Sequence, residues 1–145
     1  MFRRGFILEA KVKILTKQYD EVRNIDNIEV NAIGKIFEKN KDIYVVYEET
    51  EDGQKVTTTL KISDEEVSIK KYGNINSLMV FKENYKHLTK YRTNQGLFII
   101  ETTTNKLVVD KNEKNYIKLN IEYNINILDL FKGRNEINIL IEYNI

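Results

Sequence analysis

LNIEYNINI, residues 119–127, alternates without a break. Its odd positions are Leu, Ile, Tyr, Ile and Ile; its even positions are Asn120, Glu122, Asn124 and Asn126. Successive side chains of a strand point to opposite faces, so this stretch is a strand with one buried and one wetted face. INILIEYNI, residues 137–145, has the same odd apolar row, with Asn138, Glu142 and Asn144 between, and both stretches contain IEYNI. Ile, Asn and Lys are frequent throughout, and all three have A/T-rich codons. The repeat therefore reads as two strands of one binary pattern written in a biased alphabet. LDLFKGRN, Leu128 to Asn135, can turn between them. A hairpin pairing Ile127 with Ile137 and Tyr123 with Ile141 keeps both apolar rows on one side, as a strand register must.

The same logic extends along the chain. Lys11–Tyr19, Ile28–Asn40, Asp42–Glu49, Val56–Ile62, Glu66–Gly73, Ser77–Lys82, His87–Thr93 and Leu97–Asp110 all read as strands. The middle of DIYVVYEE is apolar on both faces, as in a strand covered on both sides. Asp52-Gly53 is a hairpin signal. Proline is absent and no linker composition appears, so residues 1–145 form a single domain. About ten strands with short connections and no helix-period segment predict an all-β fold, a sandwich or an antiparallel closed barrel of about eight to ten strands. Closure removes the exposed edges such a sheet would otherwise present.

Composition excludes several chemistries. With no cysteine there is no disulfide, thiolate metal site or thiol nucleophile, and a reducing cytoplasm is the expected compartment. Twenty-three basic and 22 acidic residues leave a net charge of +1, which gives nucleic-acid binding no support. GFIL near the N-terminus is too short for a signal h-region, and no apolar run reaches membrane-span length.

AIGKIFEKNKDIYVVYEE, VTTTLKI, VSIKKYG, MVF, YRTNQG and NIEYNI, taken in order, resemble the YwiB-like proteins of Gram-positive bacteria, a family of unknown function. The resemblance covers roughly Ile7 to Ile127. It implies a calycin-like barrel related in shape to lipocalins, and it implies no reaction. The matching positions are Gly34, Tyr47, Glu48, Lys61, Gly73, Phe81, Tyr91, Thr93 and Gly96. Tyr72 departs from the basic residue expected before the glycine, which weakens an anion site at that turn.

No catalytic constellation is legible. His87 is the single histidine, and Ser63, Ser68 and Ser77 lie in no nucleophile motif, so the chain reads as a non-enzyme. The acidic clusters Glu48–Asp52 and Asp64–Glu66 lack calcium-loop spacing, and neither a metal nor a cofactor is expected. Tyrosines on strands combine an apolar body with a hydroxyl that needs a partner when buried. Tyr44, Tyr47, Phe81 and Tyr91 would line a barrel site for a small amphipathic ligand, with Arg92 and Thr93 at its mouth. Arg92 can equally serve a strand-end salt bridge, and Gly96 suits a tight turn with positive φ. The alternative is a filled, structural barrel that meets a protein or nucleic acid through its surface. On that reading KKY, residues 70–72, and KYR, residues 90–92, form one patch if their strands are neighbours. The C-terminal strand must be paired, by its own chain in a monomer or by a second copy in a homodimer.

Overall fold

The computed structural model describes residues 6–20, 23–73, 76–93, 95–112, 115–128 and 130–144, and among these the side chains of 51, 93 and 112 are left aside. Ile145, the end of the second IEYNI, lies outside this set. Ten strands follow in order: β1 Ile7–Tyr19, β2 Asn24–Lys39, β3 Asp42–Glu51, β4 Gln54–Ile62, β5 Val67–Tyr72, β6 Ser77–Phe81, β7 Lys86–Thr93, β8 Gly96–Asn112, β9 Tyr116–Ile127 and β10 Phe131–Tyr143. The all-β expectation holds. Ile, Val, Tyr and Thr dominate these segments, and without proline every backbone N–H can serve a ladder.

All pairings are antiparallel, in the sheet order β6-β5-β4-β3-β2-β1-β10-β9-β8-β7. Tight turns drive this meander. Asn40 and Lys41 take φ 54° and 71°, and Asp52 and Gly53 take 50° and 77°, each pair forming a two-residue hairpin loop. Their left-handed backbone matches the strand twist. Gly96 opens β8 at φ 123°. β1 and β10, the first and last strands, pair from Ala10↔Tyr143 to Tyr19↔Arg134 and join the two halves of the sheet, whose ends are β6 and β7.

One expectation about the last strand needs correcting. Ile127 pairs with Phe131, Ile121 with Ile137 and Tyr123 with Asn135, so the β9–β10 register is six residues tighter than the Ile127–Ile137 hairpin. β10 already begins at Phe131, Leu130 N donates to Ile127 O at 2.9 Å, and FKGRN belongs to the strand. A shift by an even number keeps the apolar row inside. Gly133 makes the extension possible: a Cβ there would collide with Tyr19 O and with the Phe131 ring. Asn135 is tolerated inside because its Nδ2 donates to Tyr123 Oη at 2.8 Å. Of the two pairings left open for this strand, the one within the chain is present. β10 finds both neighbours, β1 and β9, in its own chain.

The inner faces make the core. Ile36, Val45, Leu60, Ile62, Val67, Phe81, Ile117, Ile121 and Ile141 are completely buried. Full burial of such a side chain contributes about 1.5–3 kcal/mol. Gly34 faces Tyr47 across β2 and β3, and a Cβ there would strike Val46 O and come within 2.9 Å of Tyr47 Cβ. The missing side chain thus admits the tyrosine to the core.

β6 and β7, adjacent in sequence, form no ladder among the described residues. The turn between them docks elsewhere. Asn84 N donates to Thr104 O at 2.9 Å, and Thr104 N donates to Tyr85 O at 3.1 Å. Thr104 stands at a β-bulge of β8, where the register to β9 slips between Thr104 and Lys106. A bulge leaves backbone groups outside the ladder, and here the incoming turn uses them. The barrel is nearly closed, with one seam.

Candidate binding site at the barrel seam

The seam is held by side chains. Leu78 O on β6 accepts from Thr89 Oγ1 at 2.6 Å and lies 3.2 Å from His87 Nε2, both on β7. For that contact to be a hydrogen bond, Nε2 must carry the proton. The single histidine therefore has a structural position, its ring also lying near Tyr85 at 6.2 Å between centroids.

Outside this closure lies a cleft of about 330 Å³ lined by Lys70, Lys71, Tyr72, Asn76, Ser77, Leu78, His87, Leu88, Thr89 and Lys90. KKY shares this cleft with Lys90, the first residue of KYR, although their strands share no ladder. Lys70 Nζ sits 4.7 Å from the Tyr72 ring centroid, a cation–π contact. Lys71 turns inward instead, 3.9 Å from Glu49 Oε1, which also accepts from Thr58 Oγ1 at 3.0 Å. No carboxylate lines the cleft.

The residues expected to line an internal site are dispersed. Tyr47 and Phe81 belong to the core cluster, and Phe81 packs on Tyr123 with centroids 4.9 Å apart. Tyr44 stands on the outer face of β3, stacked on Phe37 at 5.4 Å and 7°. That stacking covers the second apolar face of DIYVVYEE. Tyr91 is half-buried on the inner side of β7, paired with Phe98. Arg92 points outward and is exposed. Thr93 closes the ladder against Gly96, and its side chain lies outside the described set. Among the family-pattern positions, Glu48 is exposed, Lys61 pairs with Asp42 at 3.8 Å, and Gly73 N donates to Asn76 Oδ1 at 3.2 Å.

Burial raises the pKa of the Tyr123 phenol above its usual value, while the Asn135 hydrogen bond pulls it down by less. Asp64 is lowered, first by its hydrogen bond to Lys111 and then by that charge. Among the described residues, no three His, Asp or Glu side chains are grouped as a metal site. Two further outer clefts, of about 450 and 460 Å³, lie over β8, β9 and β10; the first takes in Glu101, Asn124 and Arg134, the second Leu15, Val108 and Leu140. None of these three clefts includes Tyr47, Phe81 or Tyr91.

The sequence reading missed Leu78, Leu88 and Thr89. Leu88 carried a signal: on the outer face of β7 it stands between Lys86 and Lys90, an apolar residue on a charged row.

Fold and surface together define an antiparallel ten-stranded β-barrel with a packed inner face. The family described as a domain of unknown function, DUF1934, matches residues 12–139, and the chain belongs to that family. The uncharacterised β-barrel protein YwiB of Bacillus subtilis (strain 168) is 26% identical over 106 residues, covering 73% of this chain and 74% of YwiB. The crystal structure of the ywiB protein from Bacillus subtilis superposes with a TM-score of 0.84 at 21% identity, covering 96% of this chain and 94% of that one.

Proposed function

We propose that this protein is a non-enzymatic binding barrel that works through its outer surface, with its interior serving as core. The observation that carries this reading is the inner face itself. Tyr47 and Phe81, two of the four rings expected to line a ligand site, and Tyr123, which packs on Phe81, are each 4% exposed or less and lie among aliphatic side chains. A small barrel can be filled by its own side chains or can hold one small ligand, and the burial of these rings supports the filled interior. The outer face supplies the recognition groups instead, with cations, an exposed tyrosine and leucines gathered at the seam.

Native mass spectrometry of the untagged protein from its own source tests this. The bare chain mass, as monomer or dimer, is expected. A reproducible small-molecule adduct that disappears when the inward-facing Tyr91 is changed to Ala would overturn the reading in favour of an internal amphipathic ligand.

A further inference from the structure

The outer face on both sides of the seam collects exposed apolar side chains. Tyr72, Leu78, Leu88, Leu97 and Ile99 all lie there, with Leu88 61% exposed. Cations stand between them. Leu78 pairs with Lys70 across β5 and β6, and Leu78 and Leu88 share the cleft. Lys90 pairs with Ile99 and Arg92 with Leu97, and Leu128 N donates to Ile99 O at 3.3 Å, bringing the β9–β10 loop alongside. An exposed apolar area of this extent marks an interaction surface.

Charge identifies the occupant. Several cations of the barrel meet carboxylates, as in Lys13–Glu29, Lys61–Asp42 and Arg134–Glu136. On this face Lys90 and Arg92 stand opposite Ile99 and Leu97, Lys70 lies over Tyr72, and no acid enters the cleft. Two carboxylates beside it are already engaged: Glu101, opposite Leu88, by Lys86 at 3.2 Å, and Glu49 by Lys71 at 3.9 Å. Along the outer row of β7 Leu88 stands between Lys86 and Lys90, with Arg92 next, so a complementary partner presents anionic groups around apolar ones. A single-stranded nucleic acid needs several rings on which to stack, and the cleft offers Tyr72, already capped by Lys70.

Building on the surface-acting reading, we infer that this face docks an acidic peptide segment of a partner protein. Apolar side chains of the segment enter the cleft between Leu78 and Leu88, and its carboxylates meet Lys70, Lys90 and Arg92. Exposed complementary charges of this kind act mainly on encounter rate and specificity, so binding weakens with salt.

The test uses the full chain and a short fluorescent peptide in which Glu alternates with Leu and Phe, read by anisotropy. Its Lys-for-Glu counterpart, an oligothymidylate and phosphatidylglycerol vesicles are run beside it. The acidic peptide is expected to bind, and the doubly substituted Lys90→Glu, Arg92→Glu protein to lose about tenfold in affinity or more. Leu88→Ser is expected to weaken binding with an unchanged circular dichroism spectrum. No acidic-peptide binding, binding indifferent to both variants, or tighter binding of thymidylate or vesicles through the same residues would overturn the inference. Native mass spectra of the same preparation separate the two levels. A bare mass with no peptide bound sinks the peptide inference alone, whereas an adduct dependent on Tyr91 sinks the surface-acting reading.

Discussion

The barrel has two junctions that invert expectation. β1 and β10, more than a hundred residues apart, share a ladder from Ala10↔Tyr143 to Tyr19↔Arg134. β6 and β7 are separated by four residues and share none among those described. The distant pair costs more loop-closure entropy, though this cost grows only logarithmically with length. It is offset by buried rows on both strands: Ala10 and Val12 against Ile139, Ile141 and Tyr143. β6 is five residues long and its turn is held by β8, so the seam rests on two side chains reaching Leu78 O. Proximity in sequence makes a hairpin cheap, and partner geometry decides whether it forms. The strong junction is structural, while the weak one leaves the cleft and its cations exposed.

This contrast can be broken from either side. Truncating Ile139→Ala at the β1–β10 junction removes a side chain only 2% exposed. Large-to-small changes at such sites cost about 2–5 kcal/mol, so the urea midpoint should fall most here. Gly34→Ala follows, since the added methyl meets Val46 O and Tyr47; overpacking of this kind costs about 1–3 kcal/mol, read by the same denaturation.

Tyr123→Phe leaves the buried Asn135 amide without its acceptor, at about 1–3 kcal/mol. It also changes the alkaline limb. The native phenol holds its proton above the ordinary value, so the unfolded chain deprotonates first and stability falls as pH rises past about 10. In the Phe variant that fall should be shallower in pH-dependent melting.

At the seam, Thr89→Val removes one of the two groups reaching Leu78 O and should cost about 1 kcal/mol or less. Its clearer reading is native-state hydrogen exchange. Backbone amides of β6 should exchange faster than those of β1 and β10 in the parent protein, and faster still in the variant. Equal protection at both junctions would erase the distinction between them.

Asp64→Asn is the smallest change, because the ion pair with Lys111 is exposed on the aspartate side. The folded carboxyl is lowered, so its stabilisation is present at neutral pH and lost as pH falls through the carboxylate range. The variant and the parent should therefore converge in melting temperature at acid pH.

Much of the fold was legible because a strand with one buried face writes its geometry at period two. Each of the ten strand segments has its counterpart, and Asp52-Gly53 marked its own hairpin. The β9–β10 register was misread because Lys132, Gly133 and Asn135 carry turn chemistry. Asn135 becomes strand only when Tyr123 supplies a buried acceptor, and Gly133 only when Tyr19 and Phe131 crowd it. The binding surface was half legible. KKY and KYR were visible as basic-aromatic stretches, but their juxtaposition depends on a bulge at Thr104 that captures the β6–β7 turn. Tyr44 and Tyr47 looked equivalent until their opposite faces met different neighbours, Phe37 outside and the core inside.

The sequence by itself determined an all-β chain, the positions of its strands, the face of each that goes inside, and the absence of cysteine chemistry. These follow from alternation and composition, which are local. Only the tertiary structure decided which strands close the barrel, where the seam falls, and which cations face no carboxylate. Those depend on contacts between residues far apart in the chain, and no local pattern encodes the partner.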